Sequence, residues 1–195
     1  MSNSHIPSVL ALVLEIKNRG GTETDLYHLE MPLLGKVADL IVQEVHGIYR
    51  VTVDYKMPTE EMVAAGDYDW SNRSINSVNF PAPPKFRELG RVDVNVHLVP
   101  CKKLISYRRA LSMLNSLGLR PGILPEQLAI GASFPQKQIE FPIFQIGSLW
   151  ADRGGQRATY LRRGNKERGL SVAWIKYGFQ PYYRIIGVEK DYFRK

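Results

Sequence analysis

The sequence predicts an α+β protein whose sheet is mainly antiparallel. Two segments, residues 49–55 and 91–99, alternate apolar and polar side chains with period two, which is the pattern of a half-buried antiparallel strand. Two consecutive segments, residues 106–117 and 125–133, instead carry helix start signals and helical spacing of apolar residues. Because the last connections are of hairpin length, this order favours α+β over a βαβ repeat.

Three elements are predicted in the acidic N-terminal part. Ser8 can cap a short helix that ends before Asn18. Residues 49–55 form the first strand, with Tyr and Val on one face. Thr59, followed by two glutamates that favour a helix N-terminus, begins a short helix that Gly66 ends.

Two helices and four strands are predicted in the second half. Ser106 caps the first helix, and Gly118 lies at its C-terminal end. Pro125 opens the second helix, since proline needs no N–H partner in a first turn. The strands lie at residues 143–150, 157–163, 170–176 and 183–189, and the tip of the hairpin between the middle two is at residues 163–166.

The charge changes sign along the chain and suggests where it divides. Residues 1–70 carry five basic and eleven acidic side chains, residues 71–150 carry ten and four, and residues 151–195 carry eleven and four, which together give the net +7. The Asn- and Pro-rich residues 71–85 lie at the change of sign and have the composition of a linker. We therefore predict an acidic segment, this linker and a basic domain at residues 86–195, unless the chain is one compact unit.

The location expected from the sequence is the cytoplasm. The apolar run at residues 9–14 has no basic residue before it, and no stretch reaches the roughly 18 apolar residues that a membrane-spanning helix needs. Cys101 is the only cysteine, so an intramolecular disulfide and a thiol-rich metal site are excluded. A reducing compartment without membrane association fits best.

From residue 91 to residue 190 the order of elements resembles that of a C-type-lectin-like domain. The matching features are two successive helices, the Leu-rich join at residues 117–121, an apolar strand ending at Trp150, a hairpin containing Trp174 and a last strand at residues 184–190. Calcium-dependent members need a cluster of oxygen ligands beside the strand tryptophan, whereas an apolar and a basic residue follow Trp174 here. The resemblance implies a calcium-free and disulfide-free binding module of the bacterial or phage type.

A second resemblance concerns the whole chain. It resembles short bacterial proteins, without an assigned function, that share a Tyr-Asp-Trp element, found here at residues 68–70. This resemblance implies no activity.

No catalytic residue, metal ligand or cofactor is predicted. Cys101 follows His97 by four residues, but Pro100 intervenes and an extended chain does not bring the two side chains together. The four histidines lack metal-ligand spacing, and no phosphate-binding glycine loop occurs. Asp67 and Asp69, with two nearby glutamates, could hold a hard cation, although loop solvation is the simpler role.

The basic and aromatic C-terminal region is the candidate binding surface. Residues 153–168 contain six basic side chains and one acidic side chain, and aromatic residues are frequent from residue 150 to residue 183. Cations contact phosphates and aromatic rings stack on bases, although aromatic residues in strands are also common in cores. The predicted contacts are Arg162, Arg163, Lys166, Arg168, Tyr182 and Tyr183.

These residues lead us to expect a non-enzymatic module that binds a protein or an anionic ligand. A single-stranded nucleic-acid-binding protein is the alternative, because the same residue types suit phosphates and bases. An enzyme with an unrecognised site is a second alternative.

Overall fold

The computed structural model describes residues 14, 16–22, 24–25, 31–165 and 167–190. The chain forms two compact units, and the boundary falls between Val42 and Gln43. The first unit contains helix α1 (Met31–Ile41). The predicted N-terminal helix lies mostly outside the described residues, although residues 14 and 16–18 are helical.

The described part of the second unit contains nine strands and five α-helices. The strands are β1 (Ile48–Asp54), β2 (Trp70–Ser71), β3 (Arg91–Pro100), β4 (Leu119–Pro121), β5 (Ile143–Phe144), β6 (Trp150–Asp152), β7 (Gly155–Arg163), β8 (Arg168–Trp174) and β9 (Arg184–Glu189). The helices are α2 (Thr59–Ala65), α3 (Pro84–Arg87), α4 (Tyr107–Ser116), α5 (Leu124–Ser133) and α6 (Lys137–Glu140). A 3-10 helix (Ile175–Tyr177) completes the elements of this unit, and a π-helix (Val42–His46) begins at the last residue of the first unit.

The strands form one mixed sheet in the order β1-β3-β9-β5-β7-β8-β2, with β4 also paired to β9 and β6 to β7. Two neighbouring pairs, β2–β8 and β5–β9, are parallel, and the others are antiparallel. The predicted α+β class with a mainly antiparallel sheet is therefore confirmed. The C-type-lectin-like character of the second half stays a prediction.

One face of the sheet packs against α2 and α5. Alternate residues of β1 and β3, such as Val51 and its partner Val94, point into this layer and are buried. Met62 from α2 and Leu128 from α5 cover them. This alternation is what the sequence pattern predicted, because only one face of each strand lies against the helices.

Helix α4 covers the middle of the opposite face. Ser106 caps it by accepting a hydrogen bond from the Arg109 N–H, at 3.4 Å. Ala110 and Leu114 are fully buried in the layer beneath the helix. A Cβ at Gly187 of β9 would lie 2.9 Å from Leu114 Cδ2, so this glycine lets the helix approach the sheet closely.

Residues 71–85 are not a linker between domains. Ile75 and Phe80 are buried in the same core layer as β1 and β3. The Asn76 side chain accepts hydrogen bonds from the Val78 and Asn79 N–H groups, so the asparagine orders the turn. The chain divides at Val42 and Gln43 instead, and β1 and α2 belong with the C-terminal strands.

The continuous strand predicted at residues 143–150 is interrupted. Only β5 and the start of β6 are extended, and a turn lies between them. The buried Gln145 amide holds this turn, since it donates to the Ser148 carbonyl at 2.7 Å and accepts from the Ser148 N–H at 2.8 Å. Apolar composition gave no indication of that turn.

Candidate functional site

The sheet face under α4 extends beyond the helix at both ends, and the β1–β3 end carries mainly polar side chains, with Ile48 as its apolar residue. Arg50 pairs with Asp93 at 3.1 Å, and the Thr52 hydroxyl donates to Asp93 at 2.6 Å. Polar side chains that form hydrogen bonds and ion pairs with one another across neighbouring strands are typical of a solvated sheet face.

The β7–β8–β2 end of the same face has a different composition. Arg162 of β7 and Trp70 of β2 both pair with Gly169 of β8, so their side chains share one face. The Trp70 side chain is 48% exposed, and Arg162 is exposed as well. A Cβ at Gly169 would lie 3.4 Å from Arg162 Cγ and 3.7 Å from Trp70 Cε3, so the indole and the guanidinium side chain border the same small site.

A row of aromatic rings continues this surface toward β9. Tyr160, two residues before Arg162 and therefore on the same face, stacks on Phe144 with 4.6 Å between ring centroids. Phe144 stacks in turn on Tyr183 at 4.8 Å, and Tyr182 meets Tyr183 edge-on at 4.7 Å. The Tyr182 side chain is 59% exposed.

Tyr160 and Tyr183 are both half-buried and pack against the core layer beneath α4, and Phe144 between them is buried. Burial, followed by the neighbouring Tyr182 hydroxyl, raises the pKa of Tyr183 to about 12. Its ring therefore stays neutral at physiological pH and presents an uncharged stacking surface. We call the set Trp70, Tyr160, Arg162, Tyr182 and Tyr183 the basic-aromatic face.

The tip of the β7–β8 hairpin carries a second arginine, Arg163, whose side chain leaves β7 on the opposite face because successive strand residues alternate. Arg162, Arg163, Gly164, Asn165 and Glu167 line an open concavity of about 830 Å³. Within the described part of the chain, neither guanidinium has an ion-pair or hydrogen-bond partner. Lys166, the third basic residue predicted here, lies outside the described residues.

Arg168 was predicted as a contact residue, and the structure gives it a different role. Its guanidinium donates to the Gly131 carbonyl at 2.7 Å and to the Asp67 carbonyl at 3.0 Å. It also lies over the Tyr68 ring, 5.2 Å from the centroid. Because these contacts commit the side chain within the fold, Arg168 does not belong to the basic-aromatic face.

The other two tryptophans also lie away from this face. Trp150, Arg157 and Trp174 are directly paired across β6, β7 and β8. The Arg157 guanidinium is 5.2 Å from the Trp150 ring and 3.8 Å from the Trp174 ring, and it pairs with Asp152 at 2.7 Å. The Arg157 charge is therefore paired with Asp152 and lies against both indole rings, so the cluster is a cation–π contact within the fold.

The remaining sequence candidates do not form a reactive site. Cys101 is buried, and burial raises the pKa of its thiol to about 11. His97 Nε2 instead contacts Glu189 Oε1 at 3.3 Å. Asp69 accepts a hydrogen bond from the Arg168 N–H at 2.6 Å, and no group of three or more potential metal ligands occurs among the described residues.

Trp70 is the functional candidate that sequence reasoning missed. In the sequence it stands out only as the last residue of the Tyr-Asp-Trp element. Its position beside Arg162 depends on the parallel pairing of β2 with β8, and the two strands are far apart in the chain. A two-residue strand carries no periodic signal that could have predicted this pairing.

Comparisons with known proteins do not extend this description, since the chain matches no protein-family model, no curated protein and no solved structure. In the described residues, no helix is both long enough and apolar enough to span a membrane.

Proposed function

We propose that this chain is a non-enzymatic binding protein and that its basic-aromatic face holds an anionic partner. The observation that supports the proposal is the contrast between the two uncovered ends of one sheet face. The β1–β3 end is mainly polar, and its Arg50, Thr52 and Asp93 are paired with one another, whereas the β7–β8–β2 end exposes Trp70 and Arg162. Aromatic and arginine side chains are the types that contribute most at binding surfaces.

The charge distribution favours an anionic partner. The last 45 residues carry eleven basic and four acidic side chains. Arg162 and Arg163 stand beside a single glutamate at the hairpin tip. A positive potential at this end of the sheet would attract a negatively charged ligand and orient it on the rings.

Two further parts of the proposal come from the sequence. With a single cysteine, the chain suits the reducing cytoplasm. The C-type-lectin-like resemblance supports a binding role without calcium, because the oxygen ligands expected beside Trp174 are missing.

The proposal is tested with the double variant Arg162→Glu, Arg163→Glu on a heparin column. We expect the variant to elute at clearly lower salt than the wild type, since heparin is a polyanion and the variant reverses the charge beside the rings. The matched control is Arg108→Glu with Arg109→Glu, an exposed arginine pair on α4 with the same change in net charge.

The control variant should elute close to the wild type, and both variants should keep their melting temperatures because all four side chains are exposed. Equal shifts for the two variants would mean that overall charge, and not this face, holds the polyanion. A wild-type protein that passes through the column unretained would also contradict the proposal.

A further inference from the structure

We infer that the partner of the basic-aromatic face is single-stranded nucleic acid, with bases stacked on Trp70 and Tyr160 and phosphates held by Arg162 and, at the hairpin tip, by Arg163. This inference rests on the proposed function and names the chemical class of its ligand. The structural feature that carries it is the position of Arg162 beside two aromatic side chains on one sheet face, with Trp70 across β8 and Tyr160 along β7.

Two rings of this face offer exposed stacking surfaces. Trp70 and Tyr182 are each about half exposed, at 48% and 59%, while Tyr160 and Tyr183 are partly covered. A base can stack on any aromatic ring because every base has a π face, so such a platform needs no particular sequence. The rings thus provide a reason for binding that charge alone does not.

The arginine side chains could contact the phosphates of a bound single strand. Arg162 is paired with Gly169, and its side chain lies against the position that a Cβ would occupy there, so it reaches toward Trp70. Arg163 follows it on β7, so its side chain leaves the strand on the opposite face, and the two arginines border a common space only at the hairpin tip, where both line the open concavity. A guanidinium group beside two aromatic rings provides a phosphate contact and base-stacking surfaces together, which is what a single strand requires.

The extent of the face suits a short strand. From β2 to β9 the path crosses four strand spacings of about 4.8 Å each, or roughly 19 Å. Sheets that bind single-stranded RNA through aromatic residues stack two or three bases over a comparable width. The face therefore has room for a few nucleotides.

We expect a nucleic-acid duplex to bind this surface more weakly than a single strand. In a duplex the base faces are stacked on each other, so Trp70 and Tyr160 would lose their partners and only the arginines would contribute. An acidic protein could contact the arginines too, but it does not offer a repeated series of flat faces. Single-stranded nucleic acid is the ligand that engages both residue types.

The test uses the full chain and fluorescein-labelled probes: twelve-nucleotide oligo(dT) and oligo(U), and a twelve-base-pair duplex. Fluorescence anisotropy at two salt concentrations should show tighter binding of the single strands. With two phosphates neutralised by the arginines, the logarithm of the affinity should fall with a slope of about −1.4 against the logarithm of salt concentration.

The decisive variant is Trp70→Ala, which should weaken oligonucleotide binding about tenfold or more because a stacked base is lost. Tyr177→Ala is the matched control, since Tyr177 is 69% exposed and lies outside the face. Trp70→Phe keeps a stacking ring and should bind nearly as well as the wild type. It should also abolish the fluorescence quenching that the oligonucleotide causes, because Trp150 and Trp174 pack around Arg157.

Equal affinity for duplex and single strand, or unchanged binding and quenching in both Trp70 variants, would overturn the inference. If the heparin result holds while the oligonucleotides fail, the face binds a different anionic partner, and only the nucleic-acid assignment is lost. If both fail, the proposed function is wrong as well.

Discussion

Glu126 shows how a single charged side chain is kept inside this fold. It is completely buried on α5 and accepts hydrogen bonds from the Arg120 guanidinium, the Tyr55 hydroxyl at 2.6 Å and the Ile123 N–H at 2.8 Å. Arg120 also lies 4.9 Å from the Phe86 ring. Both carboxylate oxygens of Glu126 therefore accept hydrogen bonds from groups within the fold.

Replacing Glu126 by Gln should therefore destabilise the protein strongly. The change removes the negative charge opposite a mostly buried Arg120 and places an amide donor against a guanidinium, so we expect a loss of about 3–5 kcal/mol in the free energy of unfolding. Urea titration followed by circular dichroism measures it. The control Asp93→Asn breaks an exposed pair and should cost less than about 1 kcal/mol; similar losses for the two variants would contradict the argument.

At the scale of elements, Arg168 connects parts of the chain that are distant in sequence. From β8 it reaches the end of α5 at Gly131 and the turn before β2 at Asp67. The Tyr68 ring lies in the space that side chains at Gly66 and Gly131 would fill. The position of Trp70 therefore depends on packing that no local sequence pattern describes.

Removing this connection should loosen the edge of the sheet. Arg168→Ala leaves two carbonyl groups without their donors, and we expect a loss of about 1–3 kcal/mol in the free energy of unfolding. Hydrogen exchange should also rise at the Asn72 amide, which donates to the Leu170 carbonyl next to β2. Arg163→Ala, an exposed change on the paired strand, should leave both quantities nearly unchanged, and a comparable effect there would argue against a specific role for Arg168.

At the scale of the whole molecule, the described residues that form the two core layers all lie from residue 49 onward. A fragment beginning at Gln43 should therefore fold and unfold cooperatively with a melting temperature close to that of the full chain. A fragment of residues 86–195, the domain suggested by charge, lacks β1 and α2 and should not fold. Thermal melts of both fragments measure this, and a cooperative transition in the shorter one would restore the charge-based boundary.

The sequence predicted those parts of the fold whose signals are local. Alternation predicted β1 and β3 to within a residue, and Ser106 marked the start of α4, because periodicity and capping depend on neighbours in the chain. The order of strands in the sheet, the very short β2 and the packing of residues 71–85 depend on distant contacts and were not predictable in this way.

In the candidate site, too, the features with local sequence signals were predicted and those that depend on distant contacts were not. Exposed Arg162, Arg163 and Tyr182 were predicted from composition, since charge beside aromatic residues is visible in one segment. The structural role of Arg168 and the contribution of Trp70 required the tertiary pairing of β2 with β8.

That parallel pairing has a consequence for how the protein matures. Trp70 meets Gly169 only after a loop of about a hundred residues has closed, and contacts of such long range form late because closure entropy opposes them. The surface that we assign to ligand binding is thus completed near the end of folding. A nascent or partly unfolded chain would lack this surface, so only fully folded molecules would bind the partner.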